Sequence, residues 1–560
     1  MTRAIPKSAA LWKTSSGKCS MPCLERRSFS FARCFQLYVY VCPIYNTMNR
    51  RNFLKRASVF SLPAFRGGFE AAAFPSGLLR QLVNGESDKV LVLIDLNGGN
   101  DGLNTFVPLD SYDNLMRARP KLMVAQNKLL PMTDTIGLHP ALHGIRQLYE
   151  QGKLCLVQGV AYPNQNRSHF RSADIWNTGV NADEYASTGW LGRYLDEEYP
   201  AYPDNYPNAE FTDPFAITMG RSISATCQGL HSNFSMAIID TDDLGGLQTG
   251  VAPALPDDHY GRELGFLIET FKKTNAYATR VATAASVGAS RVVYPDTTLA
   301  QQLKTVAKLI SGGLQTKVYV LKLGGFDTHA NQVEEGGATT GKHASLLKTL
   351  SDAVLAFQND LAALELEKRV LGMTFSEFGR KIKSNAGLGT DHGTAAPMMV
   401  FGGCVNPGII GHNPQIAASV SSEEGVAMQY DFKWVYGSVL RDWFEVEEEK
   451  IHALLTPDFQ HIPLAGNCEG YAPGQGELQA KAYPNPFSAQ LTLEVYNFEA
   501  QQIRAELYDV MGKRLHQFPT RPYSTGLHRL PLSGNHLPAG TYYLRVQAGN
   551  KVKTLRIVKA

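Results

Sequence analysis

The sequence predicts an α/β domain built on a mostly parallel sheet, followed by a small all-β domain. The first observation is a series of short, almost wholly apolar runs, which suit strands buried on both faces of a parallel sheet. The second observation is that amphipathic helical patterns alternate with these runs. The third is a change of pattern near residue 470, after which alternating strand-like segments are separated by turn residues.

The apolar runs also indicate where a functional site should lie. They occur at residues 90–96, 154–160, 317–323, 369–375 and 397–401. Between them, apolar residues recur at helical spacing over 298–312 and over about 343–367. Since ligands of such folds bind outside the carboxyl ends of the strands, we expect the site in the loops at that edge of the sheet.

Charge and composition exclude two classes of protein. The chain has 560 residues, and 54 Lys and Arg against 51 Asp and Glu give a formal net charge of +3. This balance lacks the excess of basic residues that is typical of proteins that bind nucleic acids. No uninterrupted apolar stretch reaches about 18 residues, so we expect no membrane-spanning segment.

The N-terminal region resembles an export signal. Within residues 48–73, the segment MNRRNFLK contains the pair Arg50 and Arg51 of a twin-arginine signal, and an apolar stretch and three alanines follow it. The other interpretation of this segment is a basic surface helix. Residues 1–47 show no periodicity and are predicted to be an upstream extension without structure.

The cysteines are unevenly distributed along the chain. Four of the eight lie within the first 47 residues, and the others are Cys155, Cys227, Cys404 and Cys468. None of the last four forms a C-x-x-C pair, so there is no zinc-ribbon or thioredoxin signal. Their spacing allows one or two disulfides in an oxidising compartment without requiring them.

Acids and histidines from distant parts of the sequence lie beside the predicted strands. The candidate metal ligands are Asp95, Asp327, His329, Glu377, Asp391 and His392, and the candidate nucleophile is Ser168. Carboxylates and imidazoles together suit zinc, manganese or similar divalent ions. Two such ions about 3.5–4 Å apart can activate a nucleophile and neutralise the oxygens of a displacement at a phosphate or sulfate ester.

The candidate ligand pairs also have structural interpretations. Asp327 and His329 either ligate a metal or form a turn in which the aspartate bonds its own backbone. Asp391 and His392 likewise either ligate a metal or form a turn. Glu377 either ligates a metal or pairs with the nearby Arg380, which would make it structural.

For the remaining candidates, the interpretation depends on the cost of burying a charge and on the position of a predicted helix end. Asp95 lies near the end of an apolar strand, where a carboxylate is costly to bury without a cation or hydrogen-bond donors. Ser168 is either a helix N-cap or a hydroxyl placed to attack a substrate. Asp101 is a secondary ligand candidate, and we interpret His139, His143 and His169 as structural or as supporting residues around the site.

The central region resembles the domain-of-unknown-function 1501 family. Six motifs carry the resemblance, in order across residues 88–465: LNGGNDGLN at 96–104, RSHF at 167–170, GWLGR at 189–193, GFDTH at 325–329, FSEFGR at 375–380 and GTDHGT at 389–394. The family is grouped with the alkaline phosphatase and sulfatase superfamily. This resemblance implies an alkaline phosphatase-like α/β/α sandwich with metals at the strand ends.

The resemblance also implies roles for individual residues. Asp95 matches the acid after the first strand, and Ser168 falls near the position of the superfamily nucleophile. Asp327 and His329 resemble the paired ligands of one metal. If His392 matches the last histidine ligand, Phe378 replaces a ligand of the second metal, so two ions, one ion or none remain open.

The C-terminal region resembles the type A sorting domain of the type IX secretion system. The matching segments are YPNPF at 483–487, YDVMGK at 508–513, LPAGTYY at 537–543 and the basic ending VKTLRIVK at 552–559. We assign residues 466–480 to a linker and 481–560 to the sorting domain. The resemblance implies a secreted or cell-surface protein whose partner is the type IX secretion machinery.

Two functions are compatible with the sequence. The first is a secreted, metal-dependent hydrolase of phosphate or sulfate esters, acting on a small ester or a glycan. The second is a non-catalytic surface protein that keeps the alkaline phosphatase-like fold and binds a glycan or another partner.

Overall fold

The computed structural model describes residues 88–239, 274–466, 468 and, with short gaps, 479–559. The predicted extension at 1–47 and the predicted signal peptide at 48–73 lie outside the described residues, as does most of the predicted linker. Within the described part of the chain, no helix is both long and apolar enough to cross a membrane.

Twelve strands are described in the α/β region. They are β1 Val90–Asn97, β2 Phe106–Pro108, β3 Leu130–Pro131, β4 Ile136–Leu138, β5 Leu154–Ala161, β6 Ala216–Met219, β7 Ser235–Ile238, β8 Val318–Gly324, β9 Val370–Phe375, β10 Ala396–Gly402, β11 Gly408–Ile410 and β12 Tyr430–Asp431. The predicted apolar runs correspond to β1, β5, β8, β9 and β10.

The helices of this region alternate with the strands. They are α1 Gly102–Thr105, α2 Tyr112–Ala118, α3 His143–Glu150, α4 His169–Thr178, α5 Trp190–Glu198, α6 at 274–287, α7 Thr298–Ser311, α8 Lys342–Ala363, α9 Phe432–Phe444 and α10 Glu448–Leu454. Short 3₁₀ helices occur at Leu109–Ser111, Gln126–Lys128, Ala225–Cys227 and Glu367–Arg369.

A mixed, mostly parallel sheet forms the centre of the α/β region, as the sequence predicts. Its strand order is β11-β5-β10-β9-β1-β8-β6-β7, with β12 pairing beside β5, while β2, β4 and β3 form a separate small sheet. Strand β10 is antiparallel to both of its neighbours, and the other pairs in the central sheet are parallel. The central strand β1 lies between β8 and β9, so loops from these three strands leave the sheet side by side.

Helices cover both faces of the sheet. Alternate residues of β1 enter two separate cores, with Val92 and Ile94 on one face and Leu91 and Leu93 on the other. The first core contains the apolar stripes of α3, α7 and α8, and the second contains those of α4, α5 and α9. The three-layer α/β/α prediction is therefore confirmed.

The C-terminal region is an antiparallel β-sandwich, as predicted. Its strands are β13 Gln479–Tyr483, β14 Gln490–Asn497, β15 Gln501–Tyr508, β16 Arg514–Gln517, β17 Arg521–Tyr523, β18 Gly526–Ser533, β19 Gly540–Ala548 and β20 Lys551–Lys559. One sheet has the order β13-β14-β18, and the other has β16-β15-β19-β20 with β17 beside β15. Inward-facing residues such as Leu493 and Leu544 fill the space between the sheets.

Candidate functional site

Loops beside four strands meet at one edge of the central sheet. Asp327 follows β8, Glu377 follows β9, and His169 begins the helix that follows β5. His392 precedes β10, but because β10 is antiparallel to its neighbours, its start lies at the same edge as their ends. Because β10 runs in the opposite direction, His392, which precedes this strand, lies beside residues that follow the other strands.

His169, Asp327 and His392 form a cluster at this edge. One ligand atom from each residue lies within 4.8 Å of those of the other two. His169 Nε2 is 3.5 Å from Asp327 Oδ2, and His392 Nε2 is 3.3 Å from Asp327 Oδ1. Between 20% and 46% of each side chain is exposed, so the cluster is open to solvent.

Neighbouring acceptors orient both imidazoles. His169 Nδ1 lies 2.9 Å from Glu377 Oε1, and His392 Nδ1 lies 2.7 Å from the carbonyl oxygen of Arg167. A carboxylate and a carbonyl only accept hydrogen bonds, so Nδ1–H donates in each histidine. In a neutral ring of this tautomer, Nε2 can ligate a cation, whereas without an ion the 3.3 Å contact between His392 Nε2 and Asp327 Oδ1 is a hydrogen bond only when Nε2 carries a proton. Phe378 packs beside both rings, with centroids 5.0 Å from His169 and 4.4 Å from His392.

Asp327 is held in its ionised form by the groups around it. Arg380 Nη2 donates to Asp327 Oδ1 at 2.8 Å, and His329 Nδ1 lies 2.7 Å from the same oxygen. Although burial acts to raise the pKa of Asp327, the hydrogen bond and charge of Arg380, together with His329 and His392, lower it below its usual value. A carboxylate is thus present at this position at neutral pH.

The glycines of the LNGGNDGLN motif let the loop after β1 approach this cluster closely. Gly98 has a φ of +120°, and a Cβ there would lie 2.2 Å from the backbone nitrogen of Asp327. The Gly98 N–H donates to Glu377 Oε1 at 2.8 Å, and the Asn100 N–H donates to Ser376 Oγ at 3.0 Å. Glu377 therefore fixes both the loop and the ring of His169, and it does not pair with Arg380.

Asp95 lies on β1 outside the cluster. Its carboxylate is 4.0 Å from Lys322 Nζ, and burial together with the charge of Glu377 raises its pKa to about 7. Asp101 is fully buried in an ion pair with Arg119, and Gln332 donates to it at 2.6 Å. Since these partners engage its oxygens, Asp101 is part of the scaffold behind the site.

His329 and Asp391 lie beside the cluster and not within it. The ring of His329 is 4.5 Å from that of His392, with its Nδ1 directed at Asp327. Asp391 accepts from Asn385 at 2.9 Å and lies 3.7 Å from Lys381, and the Asn385 hydrogen bond lowers its pKa. The structure therefore brings His392 into the cluster but not the neighbouring Asp391.

Ser168 occupies the N-cap position of α4, directly before His169. The residue is exposed, and its hydroxyl makes no capping hydrogen bond. Its backbone N–H donates to Asn166 Oδ1 at 2.8 Å. The position of Ser168 directly before His169 is compatible with both interpretations of this residue, so its role as a nucleophile stays a prediction.

Sequence reasoning missed two residues of this site. His169 was interpreted as structural or supporting, yet its Nε2 faces Asp327. The signal available for His169 was its place in the RSHF motif, where a helix begins after a buried strand. Arg380 was considered only as a partner for Glu377, because nothing in the local sequence shows that its side chain is fully buried.

Two family models match the chain. Residues 276–433 match the family described as protein of unknown function (DUF1501), and residues 481–560 match the secretion system C-terminal sorting domain. The first match includes Asp327, His329, Glu377, Asp391 and His392. Each match covers less than half of the chain, and the type IX sorting domain indicates secretion to the cell surface.

Similarity to solved structures is distant. PorZ, a surface component of the type-IX secretion system of Porphyromonas gingivalis, is 20% identical over 14% of this chain, with a TM-score of 0.11, and the chain covers 11% of PorZ. An alkaline phosphatase superfamily protein from Vibrio parahaemolyticus is 9% identical over 84% of this chain and 79% of its own, with a TM-score of 0.29.

A further similar structure is the PsFucS1 sulfatase from Pseudoalteromonas sp. It is 10% identical over 82% of this chain and 86% of its own, with a TM-score of 0.29. Among curated proteins, no sequence matches this chain.

Proposed function

We propose that this secreted protein is a metal-dependent hydrolase of phosphate or sulfate esters that binds one divalent cation. The observation that carries the proposal is the arrangement of His169, Asp327 and His392. Their ligand atoms converge within 4.8 Å, and both imidazoles hold their Nδ1 protons on the side away from the cluster.

The donor set fits a divalent metal. Two neutral imidazoles and one carboxylate suit zinc, manganese or a similar ion, and three protein ligands leave a coordination position for a substrate or water. A bound ion would supply Lewis-acid polarisation of an ester oxygen. Glu377 is the carboxylate that orients the ring of His169, a role that supporting partners of metal ligands commonly have.

One ion is favoured over two by the contacts of the other candidates. Glu377 Oε1 already accepts from Gly98 and His169, and Asp391 is engaged by Asn385 and Lys381. Asp95 and His329 remain candidates for a second ion, because Asp95 lies 4.0 Å from Lys322 and His329 contacts Asp327 through Nδ1, so that Nε2 is its candidate ligand atom. In the proposal, Ser168 is the nucleophile, since it is exposed and directly precedes His169.

Metal content tests the proposal first. We expect the purified protein, after reconstitution with zinc or manganese, to hold one ion per chain by elemental analysis and calorimetric titration. A double variant, Asp327→Ala/His392→Ala, should lose the ion. Asp391→Asn is the matched control, because it removes a neighbouring carboxylate outside the cluster and should retain the ion. Absence of bound metal in the reconstituted protein would overturn the proposal.

Hydrolysis is tested on the metal-loaded protein with aryl phosphate and aryl sulfate esters. Turnover that is lost in Ser168→Ala, with metal content unchanged, would support the assigned nucleophile. Metal binding without turnover of either ester class would instead favour the non-catalytic surface protein. The two experiments therefore separate the metal site from the chemistry.

A further inference from the structure

Arg380 is the most highly connected side chain at the candidate site. It is fully buried, with 0% of its side chain exposed. Its guanidinium donates to one carboxylate oxygen and to four backbone carbonyls: Asp327 Oδ1, Gly99 O and Thr390 O at 2.8 Å each, Phe326 O at 2.9 Å, and Gly98 O. Every nitrogen of the guanidinium is thus engaged by the loops around the cluster.

These contacts join three loops that are far apart in sequence. The carbonyls of Gly98 and Gly99 belong to the loop after β1, Phe326 precedes Asp327 in the loop after β8, and Thr390 lies two residues before His392. Arg380 itself follows β9. One planar guanidinium therefore links the loop that carries Asp327 to the loop that carries His392.

We propose that Arg380 is the positioning residue of the candidate metal centre. It anchors Asp327 through Oδ1 and leaves Oδ2 towards His169, from whose Nε2 it is 3.5 Å away. This inference rests on the proposed function, because it concerns the same cluster. It adds that the ligand geometry depends on a residue that does not itself bind the ion.

Arg380 has two opposite effects on a bound cation. Its positive charge lies beside the cluster and repels a cation, so removal of the charge alone would tighten binding. Its hydrogen bonds fix a ligand and two loops, so their loss would weaken binding, and removal of such supporting partners typically costs about 10- to 100-fold in metal affinity. The sign of the change therefore distinguishes positioning from a simple charge effect.

Two variants and one control test the inference. Arg380→Lys keeps the charge but cannot form the planar fork of contacts, and Arg380→Gln removes the charge as well. Arg280→Lys is the matched control, since Arg280 also donates from two nitrogens to one carboxylate, that of Asp213, which precedes β6 at the opposite edge of the sheet from Asp327. Thermal unfolding of each variant measures how much the substitution lowers the stability of the folded protein.

Calorimetric titration with zinc and the absorption spectrum with cobalt provide the readouts on the folded proteins. We expect both Arg380 variants to bind about 10-fold or more weakly than the wild type, with a changed cobalt spectrum. Arg280→Lys should lower thermal stability but keep the affinity and the spectrum. Unchanged or tighter binding in Arg380→Gln and Arg380→Lys would overturn the inference.

A structure of the metal-loaded wild type tests the same inference without any substitution. We expect Arg380 to remain bonded to Asp327 Oδ1 while the ion contacts Oδ2. An ion that displaces Arg380 from Oδ1 would overturn the positioning role. Failure of the wild type to bind any metal is a different result, which contradicts the proposed function itself.

Discussion

A buried polar network behind the cluster engages several residues of the sequence motifs. Asn100 Oδ1 lies 3.1 Å from His343 Nε2, and Asp101 accepts from Arg119 and Gln332. Gln332 in turn accepts from Thr390, which lies in the loop of His392. Since buried polar groups are costly unless they are bonded, these residues hold the loops in place.

His343 makes the stability of this network depend on pH. Burial lowers its pKa to about 3, whereas an unfolded chain has a histidine pKa near 6.5. Between these values the unfolded state binds a proton that the folded state does not, so stability falls as the pH decreases from about 6.5 to 3. We expect the free energy of unfolding to fall by up to about 1.4 kcal/mol per pH unit from this group.

Denaturant unfolding of the metal-free protein between pH 6.5 and 4 measures this dependence. A His343→Gln variant should show a shallower slope than the wild type. The exposed His231 serves as a control, and His231→Gln should keep the wild-type slope. Equal slopes in the wild type and His343→Gln would contradict the assignment.

At the scale of elements, the YPNPF motif of the sorting domain covers the edge of the last strand. Asn485 Nδ2 donates to the carbonyl of Arg556 at 3.0 Å, and Asn485 Oδ1 accepts from the N–H of Val558 at 2.8 Å. The Phe487 N–H donates to the carbonyl of Val558 at 2.9 Å, while its ring is buried in the sandwich core. One side chain thus substitutes for a neighbouring strand at an otherwise open edge of β20.

Replacement of Asn485 should weaken this edge. Asn485→Ala removes two hydrogen bonds to the backbone, at a net cost of about 1 to 3 kcal/mol in the free energy of unfolding of the sorting domain. Hydrogen exchange at Val558 in the full chain is the direct measurement, and it should become faster. Asn535→Ala, in an exposed turn of the same domain, should leave that exchange rate unchanged. An unaltered rate in Asn485→Ala would show that the cap does not protect the strand.

At the scale of the whole molecule, a disulfide fits a protein that leaves the cytoplasm. Cys404, just after β10, is bonded to Cys468, near the end of the α/β region. Cys155 and Cys227 are buried thiols. The sequence allowed one or two disulfides without naming a pair, and the tertiary structure brings together residues 64 positions apart.

Loss of this disulfide should lower the stability of the α/β region. Closing a loop of 64 residues restricts the unfolded chain, which corresponds to roughly 4 kcal/mol in the loop-entropy model. We expect the double variant Cys404→Ala/Cys468→Ala to melt at a lower temperature than the oxidised wild type. Addition of a reductant should bring the wild type close to the variant and leave the variant unchanged. Equal melting temperatures of oxidised and reduced wild type would contradict this expectation.

The local pattern of the sequence was sufficient to predict the fold and the edge of the central sheet at which the candidate site lies. Runs such as 90–96 and 369–375 are apolar because both faces of a central strand are buried, and that property is readable residue by residue. The rule that ligands bind at strand ends then placed Asp327 and His392 at one edge. The order of short motifs likewise identified the sorting domain, which a family model matches.

Only the tertiary structure decided which of the candidate side chains meet. His169 and Glu377 are 208 residues apart, and Gly98 and Glu377 are 279 apart, so no local pattern reveals their hydrogen bonds. Asp391 and His392 are adjacent in sequence, but successive side chains of an extended segment point in opposite directions, and only the histidine faces Asp327. Burial and composition are local properties that the sequence determines, whereas the orientation of a ligand depends on partners that the fold brings from elsewhere.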